Sequence, residues 1–219
     1  MPHITLVRHG QANSQARDET GYDKLSDLGH QQARWLGEHF QTTGERFSRV
    51  YAGTLRRQIE TARSMGAEAH APLVTDPRLN ELSYFTMARL MQEQHGLPLP
   101  TTRKGYVTHL PQVFGAWERD EIADAPESYA DFTARIDTLI DEIAASHGRA
   151  LLVTSGGVIA TIVRRILGLD VQAWAHIALT IMNSSVHRLH VLHGYPTLAH
   201  FNAIPHLEHR ERQYAQTHL

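Results

Sequence analysis

The stretch that most constrains this chain is its beginning, His3-Ile4-Thr5-Leu6-Val7-Arg8-His9-Gly10. A short apolar run with β-branched residues reads as a buried strand. It ends on an arginine, a histidine and a glycine side by side. Strand ends in α/β sheets are where ligands bind, and these residue types suit an anion there, above all a phosphoryl group. Arginine offers a planar fork of donors matched to phosphate oxygens. A neutral histidine can attack phosphorus and carry the group covalently. Glycine lets the backbone turn tightly and approach a ligand. A strand end with solvated polar residues fits the triplet alone equally well, so the remaining segments have to decide.

A chain of 219 residues suits one sizeable domain, or a core with an inserted lid. A formal net charge of −2 argues against a nucleic-acid surface or a basic membrane anchor. The absence of cysteine excludes disulfides and thiolate metal sites. No apolar run follows a basic start and no stretch is long enough to cross a bilayer, so a cytoplasmic enzyme is expected. The expected partner is a small phosphorylated substrate, with no nucleic acid and no membrane, and the oligomeric state stays open.

Of the 16 histidines, several crowd the C-terminal third, at His187, His190, His193, His200, His206 and His209. Spacings of three put successive strand residues on opposite faces, and no His-Glu-x-x-His motif or carboxylate cluster accompanies them. No metal and no cofactor are expected, and these histidines read as solvated or singly satisfied.

Residues 11–24 form a polar loop without a sustained period, placed to overhang the site. Ser26 or Asp27 caps a helix with Leu28, Trp35, Leu36 and Phe40 on one face. Arg49-Val50-Tyr51-Ala52-Gly53 is a second strand and runs into a helix on which Leu55, Ile59 and Ala62 mark the face packed on the sheet. Arg56 and Arg57 stand in its first turn, where cations oppose the helix dipole. An anion held between them and the free backbone N–H groups would offset that.

Leu73-Val74-Thr75-Asp76 reads as a third strand. Residues 83–126, broken by Gly96, Pro98, Pro100, Gly105 and Pro111, read as an insertion capping the site, with short helices at 85–95 and 110–123. Arg103, Lys104 and His109 lie in it, more readily as solvated surface than as contacts to an anionic substrate. Pro126-Glu127-Ser128 opens the clearest helix, with Phe132, Ile136, Leu139, Ile140 and Ile143 as its stripe and Gly148 near its end. The strand over 149–155 then meets Gly156-Gly157 and a helix closed by Gly168, a natural anion cradle. Residues 184–192 and 197–202 read as a hairpin turning at Gly194-Tyr195-Pro196, and the tail from His206 onward as surface.

Taken in order, these segments resemble the histidine phosphatase superfamily, which includes the cofactor-dependent phosphoglycerate mutases and many phosphatases. The matching pieces are Leu6-Val7-Arg8-His9-Gly10, Leu25-Ser26-Asp27-Leu28-Gly29 through Gln32-Ala33, Leu55-Arg56-Arg57 through Thr61-Ala62, and Leu79-Asn80-Glu81. Glu127-Ser128-Tyr129-Ala130-Asp131-Phe132 and Val153-Thr154-Ser155-Gly156-Gly157 also look like family segments. The resemblance implies an α/β fold, a three-layer sandwich with a mostly parallel central sheet flanked by helices plus the inserted cap, in one domain over 1–219. It implies His9 as nucleophile, Arg8 and Arg57 as clamps on the phosphoryl oxygens, and Glu81 as the group that protonates the leaving oxygen and then assists water. Gly10, Gln11, Asn13 and Gly156 are expected to add contacts to substrate. Arg56 is one residue out of register and is expected to be exposed.

One departure stands out. The family usually carries a second histidine before the Gly-Gly pair, and here that position is Ser155. A hydroxyl can still donate one hydrogen bond, but charge-assisted bonds are roughly twice as strong as neutral ones. The expectation is a slow or narrow phosphomonoester hydrolase working through phosphohistidine at His9, with complete loss of catalysis as the limit. A nucleophile elbow at Ser155 would need glycine two residues earlier, where Val153 stands. The other readings are a mutase-type phosphotransferase and a non-catalytic phosphate-ligand binder. Leu82-Ser83-Tyr84-Phe85 departs from the substrate-orienting pattern of the mutases and favours hydrolysis.

Overall fold

Parallel register delivers the chemistry-bearing turns to one edge of a sheet. The computed structural model describes residues 3–13, 16 and 18–218, with the side chain of Arg103 outside that description. Its strands are β1 (His3–Arg8), β2 (Arg49–Ala52), β3 (Leu73–Thr75), β4 (Arg149–Thr154), β5 (Val186–Leu192) and β6 (Tyr195–Ala203). They form one six-stranded sheet in the order β3-β2-β4-β1-β5-β6. The first four run parallel, while β5 and β6 are antiparallel to their neighbours. Arg8 lies opposite Thr154, and Ala52 opposite Val153 and Thr75. The segments that follow β1, β2, β3 and β4 therefore leave from the same edge.

The helices are α1 (Glu19–Tyr22), α2 (Asp27–Thr42), α3 (Arg56–Ser64), α4 (Tyr84–His95), α5 (Arg103–Glu118), α6 (Tyr129–Ala145), α7 (Gly156–Leu167) and α8 (Val171–Thr180). Among the described residues, none is long and apolar enough to cross a membrane. Because the central strands are buried on both faces, β1 sends Val7 toward Leu36, Phe40 and Ala62 of α2 and α3. It sends Ile4 and Leu6 toward Phe132, Ile136 and Ile140 of α6 and Ile159 of α7. Each such large apolar side chain contributes roughly 1.5–3 kcal/mol by burial, so packing rather than propensity holds the layers together. Met87 and Leu90 of α4 and Phe114 and Trp117 of α5 belong to the same apolar cluster as Ile4 and Leu6.

Several expectations need correction. The helix expected at 110–123 is α5, which starts at Arg103, is capped by Thr102, whose side chain accepts from Gly105 N–H, and runs through Pro111. Proline removes the bond to the carbonyl four residues back, and here His176 Nε2 donates to that carbonyl, Val107 O, at 3.2 Å. The hairpin turns one step earlier than expected, at His193 and Gly194, with φ of 50° and 87°, and Tyr195 already pairs with Leu192. Two positive φ values in a two-residue turn match the strand twist.

Of the expected Leu55, Ile59 and Ala62, only Ala62 is on the buried face of α3, and Arg57, Gln58 and Thr61 complete that face. That face meets polar groups at the sheet edge, which hydrophobic periodicity does not register. The tail is not plain surface: His206, Leu207 and Ala215 are buried, and Gln32 Nε2 donates to Ala215 O and Thr217 Oγ1.

His187 and His206 are buried rather than solvated, His206 satisfied at one ring nitrogen, the other alternative expected, and His187 at both. His187 Nδ1 accepts from Asn202 N–H at 3.2 Å, leaving Nε2–H to donate to Ser185 Oγ at 2.9 Å. His206 Nε2 pairs with Ser184 Oγ at 2.8 Å. Burial lowers both pKa values to about 3, helped by Arg8 for His187 and by His39 and Arg212 for His206. Below pH ~6.5 the unfolded chain binds protons that the native state refuses. Stability from these groups is thus complete above that pH and is lost as pH falls toward their folded values. Each histidine costs about 1.4 kcal/mol per pH unit in that window. Urea unfolding at pH 5 is expected to show stability lower than at pH 7 by on the order of 2–4 kcal/mol. Equal values would contradict neutral burial.

Candidate functional site

At the end of β1 the backbone is locked on both sides. His9 N–H donates to Thr154 O at 2.9 Å, and His9 O accepts from Ser184 N–H at 3.2 Å. The imidazole is buried, and its Nδ1 lies 2.8 Å from Gly10 O. A carbonyl only accepts, so Nδ1 carries the proton and Nε2 keeps the lone pair. Burial, then Arg57 and Arg8, hold the pKa well below the usual histidine value, against a smaller upward pull from the Gly10 carbonyl. His9 is therefore a neutral imidazole with its basic nitrogen free of this bond.

Gly10 acts through its backbone. Its N–H donates to Thr61 Oγ1 at 3.0 Å, and a Cβ would stand 2.4 Å from Gly29 O. Only glycine permits so close an approach of this turn to the start of α2.

Arg8 and Arg57 reach the site from different elements. Arg8 Nη1 donates to Ile181 O and, at 2.8 Å, to His218 O. Arg57 Nη1 meets Asp23 Oδ1 at 3.0 Å, with its guanidinium over the Tyr22 ring, 5.1 Å from the centroid. Among the described residues, Arg8 Nε and Arg57 Nε are buried without a hydrogen-bond partner. The anion expected at the start of α3 belongs to the chain itself, since Asp23 accepts from the N–H groups of Arg56 and Arg57 at 2.9 and 3.2 Å. Arg56 points outward and pairs with Glu60.

Glu81 follows β3 and is held at both oxygens. Oε2 accepts from Gly157 N–H at 2.8 Å and Oε1 from its own neighbour Leu82 N–H at 3.1 Å. A Cβ at Gly157 would lie 2.3 Å from Oε1, so the second glycine of the pair is what lets the carboxylate reach the start of α7.

Arg8, His9, Arg57, Glu81, Gln11 and Gly156 line one cavity of about 470 Å3. Gly10, Asn13 and Ser155 do not. Asn13 Nδ2 donates instead to Gly21 O at 3.1 Å, tying down the loop. Ser155 is fully buried at the cap position of α7, and its Oγ accepts from Gln58 Nε2 at 2.8 Å. Lys104 is exposed, and His109 is buried behind Tyr84, with Nδ1 3.0 Å from the Tyr84 hydroxyl. The expectation for the Arg103 side chain lies outside the described residues.

Sequence reasoning passed over Tyr22, Asp23, Gln58 and Asn183. Tyr22 and Asn183 line the cavity, and Asn183 Nδ2 reaches His9 O at 3.4 Å. Gln32 was noted only within a family-matching piece, with no role given to it, yet its Oε1 accepts from Gln11 N–H at 2.7 Å. With its bonds to Ala215 and Thr217, it ties the turn after His9 to the tail whose His218 carbonyl receives Arg8. Asp23 carried a weak signal, an acid within reach of the arginine pair.

With this geometry in hand, known proteins supply the comparison. "Phosphoglycerate mutase-like protein 4" of Arabidopsis thaliana is 27% identical over 212 residues, covering 94% of this chain and 86% of that protein. The glucosyl-3-phosphoglycerate phosphatase of Mycolicibacterium vanbaalenii is 28% identical over 187 residues, covering 78% and 76%. In fold, the phosphoserine phosphatase of Entamoeba histolytica superposes with a TM-score of 0.69 at 17% identity, covering 94% of this chain and all of that one (100%). A family model matches residues 4–204. Because that match runs from β1 to just past β6 and takes in Arg8, His9, Arg57, Glu81 and Ser155, the chain belongs to the histidine phosphatase superfamily (branch 1).

Proposed function

We propose that this protein hydrolyses phosphomonoesters through a phosphohistidine at His9. His9 Nε2 attacks phosphorus as the ester P–O bond breaks, and Glu81 gives its proton to the leaving oxygen. Water then attacks the phosphohistidine, passes a proton to the Glu81 carboxylate and releases phosphate with His9 restored. Arg8 and Arg57 offset the charge spread over the transferring oxygens. These steps draw on protein groups alone, and residues 83–126 act as a cap within one domain.

The observation that carries this reading is the His9 tautomer. An imidazole kept neutral, with Nδ1–H given to Gly10 O, shares a cavity with two guanidiniums and a carboxyl. The phosphatases among the relatives support hydrolysis, as does the departure of Leu82-Ser83-Tyr84-Phe85 from the mutase pattern. Acid-sensitive, alkali-stable label from a radioactive phosphomonoester, at up to one equivalent per chain, is expected after rapid quenching. Steady-state hydrolysis with no trappable phosphoenzyme, or label on another residue, would count against the mechanism.

The binder reading has one observation in its favour. Ser155 is engaged by Gln58 away from the cavity lining and supplies no third cation. No turnover across aryl and alkyl esters, with phosphate still bound, would decide for it.

Ser155→His alone is expected to meet the Gln58 amide, an over-packing that costs roughly 1–3 kcal/mol. With Gln58→Ala in the same chain the imidazole gains room. Turnover of the double variant is then expected to exceed that of Gln58→Ala by about tenfold or more, a share of the ~10²–10³ that a preorganised donor supplies. No gain in a folded double variant would show that Ser155 is not what slows this site.

A further inference from the structure

The cavity changes character between its two sides. The sheet edge contributes Arg8, His9, Arg57 and Glu81, whereas the cap helices and α8 contribute Tyr84, Phe85, Tyr106, Leu110, Phe114 and Leu179. At about 470 Å3 the space falls within the ~300–1,000 Å3 of pockets that bury whole organic ligands. A phosphoryl group leaves much of it to the alcohol side of an ester. Tyr84 stands against Phe85 and Tyr106 with ring centroids 6.0 and 6.2 Å apart, making a continuous aromatic surface. Phe114 is backed by Trp174 at 4.1 Å.

Charge is distributed in the same sense. Among the described side chains, the guanidiniums lining the cavity are Arg8 and Arg57, both beside His9. The carboxylate on the cap side is Glu19, whose Oε1 accepts from Thr86 N–H at the start of α4 at 2.9 Å. Among the described side chains on the cap side, a second anionic group on the substrate would meet aromatic rings, the neutral hydroxyls of Thr101 and Thr102 and a like charge, and a charge out of water without a cation is costly. An apolar ring in the same place loses nothing on leaving water.

Resting on the hydrolase reading, we infer that this site selects esters with an apolar, ring-sized alcohol and no second anion, because an aromatic wall faces its guanidinium-lined phosphoryl end. The aromatic rings supply flat contact with little side-chain freedom to lose, and the Tyr84 hydroxyl, held by His109, keeps its ring in place. Esters bearing a carboxylate next to the phosphoryl group are the poor substrates.

The test compares 2-phenylethyl phosphate with phosphoserine and 3-phosphoglycerate, all esters of alkyl alcohols, so that leaving-group reactivity does not dominate. The expected result is a kcat/KM at least about tenfold higher for 2-phenylethyl phosphate, carried mainly by KM. Leu179→Arg, at a half-buried cavity position, is expected to narrow or invert that ratio in favour of phosphoserine. Calorimetric binding of 2-phenylethylphosphonate against the phosphonate analogue of phosphoserine reads the same preference without turnover. Turnover of all three esters at equal kcat/KM, or faster turnover of the carboxylates, overturns the inference and leaves the hydrolase intact. The phosphonate preference without any ester hydrolysis overturns the hydrolase and leaves the ligand class standing. Equal phosphonate affinities overturn the inference by themselves.

Discussion

His9→Ala is expected to lower kcat for every hydrolysed phosphomonoester by about 10⁴-fold or more, the scale seen when a covalent nucleophile is removed. The loss should fall on kcat while the fold and phosphate affinity persist. The reason is local. The backbone of residue 9 is held by Thr154 and Ser184 whatever its side chain, and Arg8 is fixed by the carbonyls of Ile181 and His218. Alanine removes the imidazole and its bond to Gly10 O but leaves both guanidiniums in place. Stopped assays with an aryl phosphate, circular dichroism and titration with inorganic phosphate check the three parts together. Residual turnover within tenfold of wild type would remove His9 from the chemistry.

The effect of Glu81→Gln should depend on the leaving group. A general acid contributes roughly 10²–10⁴-fold when the departing oxygen needs a proton. An alkyl phosphate is therefore expected to lose that much, and p-nitrophenyl phosphate, whose phenolate leaves unaided, less than about tenfold. The substitution is close to isosteric, and an amide oxygen can still accept from Gly157 N–H, the bond that Glu81 Oε2 makes at 2.8 Å. A plot of kcat against leaving-group basicity separates proton donation from positioning. Equal losses for both esters would mean that Glu81 only holds the start of α7.

Much of this site was legible because its parts are local. A β-branched run ending in Arg8-His9-Gly10, and a strand followed by Gly156-Gly157, announce their geometry within a few residues. The stripe from Phe132 to Ile143 announces α6 in the same way, and Ser128 caps it by accepting from Asp131 N–H. Leu55 and Ile59 misled for a physical reason. Helical periodicity ranks positions by hydrophobicity, while α3 turns Arg57, Gln58 and Thr61 inward because the site they face is itself polar. Pro111 misled likewise, since the donor that completes its helix, His176, comes from α8.

The chain's own residue order determined the alternation of strands and helices, the arginine, histidine and carboxyl available to the site, and the glycines that let turns approach each other. Those properties depend on spacing and side-chain type over short distances. Tertiary structure alone decided that Asp23 takes the start of α3, that Gln58 occupies Ser155, that the tail returns to Arg8, and that aromatic rings of α4 and α5 share the cavity of Arg8, His9 and Arg57. Each is a contact between groups far apart along the chain, formed only once the layers have closed, so no local pattern records it.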